Sequence, residues 1–230
     1  WKIQKIPQKV SSSSSNDDFF HWEIEFPDVF YNEEPGFDLI IGNPPYVDVS
    51  KDEANKCYKC SIGITLNCTN LYAYLIETSL RQLKNCGFFG FIVPGSIICS
   101  KRMKPLQEII KKHHVKLFNI DSTSHSGCLF KNVNTQITII TLKKDYNRQI
   151  YTTNYKRFYT NDRKNLFVNV EYCRLENNNF ILNYSIPKFS CEIEQNILRK
   201  MFKRNKTIVN FISNNYKQEI YYRCAGNPYY

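Results

Sequence analysis

The chain has 230 residues, 42% of them hydrophobic and 15% aromatic, enough for one medium domain, or a domain and part of a second, around a real core. Its 31 Lys and Arg against 21 Asp and Glu leave a net charge of +10, which favours a polyanionic partner. No apolar run reaches the roughly 18 residues of a membrane helix and no charged-then-apolar leader opens the chain, so a soluble, cytoplasmic protein is expected.

The sequence starts at Trp1 rather than Met and stops after Asn227-Pro228-Tyr229-Tyr230, which reads as an internal stretch of a longer protein. Its 9 cysteines are scattered and odd in number, as expected of reduced thiols rather than a disulfide framework. Cys57-x-x-Cys60, with Cys68 behind it, has no nearby fourth ligand. His113 and His114 are distant and resemble the polar end of a helix, so no metal site is expected.

In chain order, Ser11–Ser15 and Asn16-Asp17-Asp18 form a polar, low-complexity segment, expected to be a flexible linker over residues 1–18. Trp22 to Phe26 alternates as a short strand would, and Asn32-Glu33-Glu34-Pro35-Gly36 is a turn. Phe37-Asp38-Leu39-Ile40-Ile41-Gly42 is short, almost wholly apolar and bounded by turn residues, the pattern of a central parallel strand buried on both faces. Residues 47–68 are irregular. Thr69-Asn70 offers an N-cap to a helix through Leu71, Tyr74, Leu75, Thr78, Leu80 and Leu83, stopped by Asn85-Cys86-Gly87. Phe88 to Pro94 is the next strand. Pro105 sits in the first turn of a helix running from Leu106 to His114. Strands follow at Val115–Asp121 and Gln136–Leu142. This alternation describes half of a doubly wound α/β sheet. Past residue 145 the alternation is lost and Asn, Tyr, Lys and Arg dominate, which sets a boundary there. Cys191 to Lys203, with Ile193, Ile197, Leu198 and Phe202, has helical spacing.

The chemistry-bearing stretch is Asn43-Pro44-Pro45-Tyr46, at the C-terminal end of the first buried strand, the edge at which open α/β sheets bind ligands. An exocyclic amine conjugated to a ring is a poor nucleophile, and two acceptors on its N–H groups favour its pyramidal, reactive form. The Asn43 side-chain oxygen and the Pro44 carbonyl can be those acceptors. Each proline fixes its own φ and biases the residue before it to extended backbone, so the acceptors are held in advance. Tyr46 offers a ring on which a base extruded from the duplex can stack. The alternative is that Asn-Pro-Pro merely ends a strand and Tyr46 is an edge aromatic.

Residues 37–46 resemble the catalytic motif of N6-adenine DNA methyltransferases, and Phe20 to Phe30 resembles a stretch of their type IIG restriction-modification and phage-exclusion branch. Gly87 to Ser96, and Gly127-Cys128-Leu129-Phe130 to Leu142, resemble the later strands of that family in order. The resemblance covers about residues 19–145. It implies an α/β fold, the C-terminal half of a Rossmann-like S-adenosylmethionine-dependent methyltransferase sheet, followed by a mixed α+β extension. It further implies that Asn43 and Pro44 hold the target amine, with Pro45 in the catalytic motif, that Tyr46 stacks on the base and that Phe130 backs the base from the other side. Asp28, matched to an acidic position near the cofactor adenine, and Asn43 would touch S-adenosylmethionine. The partner would be double-stranded DNA.

The resemblance divides the chain into the Ser-rich segment 1–18, a partial catalytic domain 19–145, and an extension 146–230 leading into a target-recognition domain. Residues around Ile186-Pro187-Lys188 and Tyr221-Tyr222-Arg223 would then approach DNA, or form an ordinary solvated face. Phe130, read without the resemblance, is a buried strand-end aromatic. One departure stands out: the family's glycine-containing cofactor loop precedes this stretch, and residues 1–18 cannot supply it. The chain alone is therefore expected not to methylate. Protein-glutamine and RNA methyltransferases share Asn-Pro-Pro-Tyr on this fold and are alternatives, as is a decayed, non-catalytic DNA-binding remnant.

Overall fold

A computed structural model describes residues 21–52, 63–123, 129–130, 134–168, 170–176 and 185–203. Ser11–Ser15, Cys57, Cys60, Gly127-Cys128 and Tyr221-Tyr222-Arg223 lie outside the described residues. The chain divides into two compact units, Trp1–Pro35 and Gly36–Tyr230.

The first unit contains two helical turns, α1 (Trp22–Glu25) and α2 (Pro27–Phe30). The strand expected from Trp22 to Phe26 is therefore corrected to helix. Five residues are too few to separate the periods, because Trp22 and Phe26 are in step for both. As an i, i+4 pair their rings stack at 5.9 Å, and the Phe26 N–H donates to the Trp22 carbonyl at 2.9 Å. Pro27 then opens the next turn, where its missing N–H costs nothing. Asn32 closes α2, its Nδ2 donating to the Asp28 carbonyl at 2.8 Å while its Oδ1 accepts from Glu34 N at 2.8 Å.

Among the described residues, the second unit holds a seven-stranded mixed sheet. It starts at Gly36, whose φ of 114° and whose approach to the backbone of 82–84 exclude a side chain: a Cβ would lie 2.6 Å from Lys84 N. Strand β1 (Phe37–Gly42) pairs in parallel with β2 (Leu83–Pro94), and the crossover carries α3 (Leu71–Gln82). Asn70 caps α3 as expected, accepting from Tyr72 N at 3.2 Å. Asn85-Cys86-Gly87 is a kink within β2 rather than a stop before it: Cys86 has φ 62°, and the β1 register jumps from Leu83 to Phe88 across it.

After β2 come the turn α4 (Ser96–Cys99) and α5 (Lys104–Ile110), with Pro105 in the first turn of α5. The helix ends earlier than expected, and His114 begins β3 (His114–Asp121) rather than ending a helix. Strand β4 (Ile137–Lys143) runs antiparallel between β2 and β3. Strands β5 (Ile150–Thr152) and β6 (Lys156–Arg157) both pair in parallel with β3, β7 (Cys173–Leu175) pairs antiparallel with β5, and α6 (Glu192–Phe202) follows. The expected fold class, an α/β half-sheet of Rossmann-like kind with a mixed extension, is the one observed. The sheet runs on past residue 145.

Two apolar clusters hold it together. The larger packs α3 and α5 onto one sheet face through Tyr72, Ile76, Phe89, Val93, Leu106 and Leu117. The smaller joins Phe118, Ile120, Leu129 and Ile137 to Phe158 and Leu166. Strand β1 departs from expectation in one respect: among the described residues it lies at the end of the strand order, with Leu39 and Ile41 50% and 77% exposed. An apolar run identifies a strand, but burial of both faces depends on what covers it, which the run does not encode.

Candidate functional site

The residues after β1 are placed by what the prolines cannot do. Pro44 and Pro45 have no N–H to continue a ladder, so the last pair between β1 and β2 is Gly42 with Phe91. The Ile92 carbonyl, one residue further along β2, accepts a hydrogen bond from the Tyr46 hydroxyl at 3.0 Å. The same hydroxyl lies 3.2 Å from Asn43 Oδ1. Asn43 is exposed, Pro44 buried, Pro45 exposed and Tyr46 half-buried. Burial pushes the Tyr46 phenol up to about 12, so at neutral pH it is a neutral donor. The hydroxyl has one proton for these two acceptors, so Asn43 Oδ1 is an exposed acceptor that shares it with the Ile92 carbonyl of the neighbouring strand.

The chain leaving Tyr46 is stitched to the start of α3. Leu71 N donates to the Val47 carbonyl at 3.0 Å and Val49 N to the Thr69 carbonyl at 3.1 Å. Asp48 Oδ1 accepts from Asn70 Nδ2 at 2.9 Å and from Arg102 Nη2 at 2.7 Å. Asn70 therefore does two jobs, capping α3 with its oxygen and holding Asp48 with its nitrogen.

A second loop reaches the same sheet edge. Since β4 is antiparallel to both β2 and β3, the connection from Asp121 to Ile137 leaves and returns at the edge where β1 ends. Phe130 sits in that connection and packs, half-buried, against the smaller cluster; Ile92 of β2, whose carbonyl holds Tyr46, packs against the same cluster. Leu129 is buried, and its N–H donates to Ser122 Oγ at 2.8 Å. Its carbonyl accepts from Arg163 Nη2 at 2.6 Å. Beyond it, Gln136 accepts from the Tyr155 hydroxyl at 2.8 Å, and its carbonyl accepts from Gly95 N at 2.8 Å. Burial raises the Tyr155 phenol, with Cys99 and Asp121 adding to the shift. Lys188 Nζ lies 5.2 Å from the Tyr155 ring centre and Arg157 5.8 Å from that of Tyr159, a pairing of cations with aromatic faces.

Of the residues singled out from sequence, Asn43, Pro44, Pro45 and Tyr46 form one corner and Phe130 belongs to a second loop at the same edge. Asp28 lies on α2 in the first unit. Sequence reading missed the side chains that hold these loops: Asp48, Arg102, Ser122, Gln136, Tyr155 and Arg163. Their partners lie 7 to 54 residues away in the chain, and only Asn70, as a cap, carried a local signal. Among the described residues no group of His, Cys, Asp and Glu is arranged to hold a metal ion, and no helix is long and apolar enough to cross a membrane.

A family model described as Eco57I restriction-modification methylase matches residues 2–125, more than half of the chain. The chain is 25% identical over 206 residues to the type II restriction enzyme and methyltransferase RM.Eco57I of Escherichia coli, spanning 84% of this chain and 19% of that protein. It is 31% identical over 117 residues to the modification methylase CviBIII of Paramecium bursaria Chlorella virus NC1A, covering 50% of this chain and 29% of the relative. Among solved structures, a nuclease-deletion mutant of the Type ISP restriction-modification enzyme LlaGI in complex with a DNA substrate mimic aligns with a TM-score of 0.49 and 20% identity, over 64% of this chain and 15% of that one. The chain thus spans less than a third of the length of either curated relative.

Proposed function

The chain belongs to the Eco57I restriction-modification methylase family, and from that membership we propose that the whole protein carrying it is a site-specific DNA adenine-N6 methyltransferase of a restriction-modification or phage-defence system. The observation that carries this reading is an exposed carboxamide oxygen, Asn43 Oδ1, at the carboxyl end of β1 and 3.2 Å from a tyrosine hydroxyl that is itself bonded to β2.

In this reading the target adenine leaves the duplex and its amine meets Asn43 Oδ1 and the Pro44 carbonyl. Both accept its N–H groups, which draws the nitrogen lone pair out of conjugation. Because the prolines and the Tyr46 hydroxyl fix the acceptors in advance, little reorganisation is needed when the bond forms. Tyr46 gives the base a face to stack on, worth about 1–3 kcal/mol by analogy with single-strand binders, and Phe130 backs it from the opposite side. Residues 19–145 are the catalytic part. Residues 146–230, with Lys188 and Arg157 set against aromatic rings, lead toward target recognition on double-stranded DNA.

A methylase family implies S-adenosylmethionine, which when bound supplies an electrophilic methyl group. The described residues compose its site only in part: Asn43 stands at the end of β1, while Asp28, the proposed contact to the donor's adenine, belongs to the other unit. The chain's own residues account for binding and orienting the amine, and no step is routed through the donor.

The test is to express the whole protein and its Asn43→Ala variant in a methylation-free host and map N6-methyladenine by long-read sequencing. Modification of one short motif, lost in the variant, supports the proposal. A folded wild-type protein that leaves adenine unmodified refutes it and redirects attention to glutamine or RNA substrates, or to a decayed copy.

A further inference from the structure

Leu129 and Phe130 have no strand or helix to hold them, yet both polar groups of Leu129 are satisfied by side chains, one seven residues back and one 34 residues ahead. Ser122, fully buried at the end of β3, accepts from the Leu129 N–H at 2.8 Å. Arg163 donates to the Leu129 carbonyl at 2.6 Å, and that carbonyl belongs to the peptide that joins Leu129 to Phe130. Arg163 sits in a helical turn at Thr160–Asn165, and this turn is anchored on both sides. Phe158 before it and Leu166 after it are buried in the same small cluster as Leu129. The Arg163 guanidinium also lies 5.6 Å from the centre of the Phe158 ring, so its position is set by the ring as well as by the carbonyl. A planar guanidinium can stack and donate at once, which an ammonium does less well.

We propose that Arg163 is a positioning residue for Phe130: it clamps the 129–130 peptide to the turn at 160–165, so that the extension beyond residue 145 sets the geometry of the base pocket. This rests on the reading of Phe130 as the aromatic that backs the extruded base. Arg163 does not touch the base in this proposal. It determines where Phe130 stands when the base arrives. A segment that leads toward target recognition would thereby be mechanically joined to the wall of the pocket.

The experiment uses the whole protein with Arg163→Ala, Arg163→Lys, Phe130→Ala and the Arg163→Ala/Phe130→Ala double variant, on duplex DNA carrying the motif found by methylation mapping. Hydrogen exchange at the Leu129 and Phe130 amides is expected to quicken at least about tenfold in Arg163→Ala, as local opening becomes easier, with the global melting transition retained. The single-turnover methylation rate at saturating DNA falls about tenfold, while DNA affinity and its salt dependence stay as in wild type. Arg163→Lys falls between. In the Phe130→Ala background, Arg163→Ala changes the rate by less than about a factor of two, because the two act as one unit.

Unchanged exchange at 129–130 overturns the proposal whatever the kinetics show. So does a loss of DNA affinity with a shallower salt slope and a normal single-turnover rate, which would make Arg163 a phosphate contact. So too does an Arg163 effect of full size in the Phe130→Ala background. If exchange quickens but Phe130→Ala methylates as fast as wild type, the fault lies in the base-backing role of Phe130, and the pocket role of Arg163 falls with it.

Discussion

Asn43–Tyr46 is held by atoms close to it in the chain or on the adjacent strand: two proline rings, the Gly42–Phe91 pair, and the Ile92 carbonyl under the Tyr46 hydroxyl. Leu129–Phe130, at the same sheet edge, is held by Ser122 Oγ on one side and by a guanidinium 34 residues ahead on the other. The first corner is stiff because its backbone has few options. The second has ordinary backbone freedom and is fixed by side chains that must themselves be fixed. A corner of the first kind tolerates change around it. A corner of the second kind transmits change from elsewhere in the chain.

The largest expected effect tests the first corner. In the whole protein, and on the proposed function, Asn43→Ala should lower the single-turnover methylation rate by about 10²–10³-fold, the size seen when one preorganised polar group is removed, and leave the melting midpoint unchanged, since the side chain is exposed. A variant that melts early would show that Asn43 is structural, and the contrast between the corners would lose its first member.

Next is the scaffold behind that corner. The Glu77 side chain on α3 is 3% exposed and accepts from the N–H groups of Gly63, Ile64 and Thr65 and from the Thr65 hydroxyl at 2.7–3.3 Å, with Arg81 beside it. Burial alone would raise its pKa, but the Thr65 hydroxyl and these N–H groups outweigh it and hold the carboxyl below its ordinary value. A lowered folded-state pKa contributes stability that is present above the unfolded glutamate value near 4.3 and is lost as pH falls through the folded one. Glu77→Gln should therefore cost about 2–3 kcal/mol at neutral pH, and the gap to wild type should close on acidification. Urea melts of both proteins between pH 7 and pH 3 measure it, and a gap independent of pH would show that the carboxylate charge contributes nothing.

A smaller effect is expected at the second corner. Ser122→Ala leaves the buried Leu129 N–H without its acceptor, at a cost of about 1–2 kcal/mol, readable as a lower urea midpoint at unchanged slope. The same change should quicken exchange at the Leu129 amide but not at Tyr46. Equal loosening of both corners would mean that the edge moves as one piece. The smallest effect separates the two contributions of Tyr46. Tyr46→Phe keeps the ring and loses the one hydroxyl proton that Asn43 Oδ1 shares with the Ile92 carbonyl; a neutral hydrogen bond is worth about 1 kcal/mol, at most roughly fivefold in the single-turnover rate of the whole protein. Tyr46→Ala should lose several times more, and equal losses would leave the hydroxyl without a role.

Much of this molecule was legible residue by residue. Asn70 announced the start of α3, Pro105 the first turn of α5, and the apolar run 37–42 a parallel strand ending at Asn43. Each of these signals is local: a cap, a fixed φ, a run of β-formers bounded by turns. Trp22–Phe26 was misread because five residues cannot separate a period of 2 from one of 3.6, and the Trp22–Phe26 ring stack that favours the helix is a contact, not a pattern. Strand β2 began five residues before Phe88 because Cys86 takes a positive φ that its residue type does not advertise.

By itself, the order of residues determined the strand-then-Asn-Pro-Pro-Tyr corner, because proline stereochemistry and apolar burial act on neighbours. Tertiary structure alone decided that Ile92 supplies the acceptor for Tyr46 and that Arg163 reaches the peptide joining Leu129 to Phe130. Those facts depend on which distant groups meet, and sequence spacing holds no record of a hydrogen bond that closes across 34 or 46 residues.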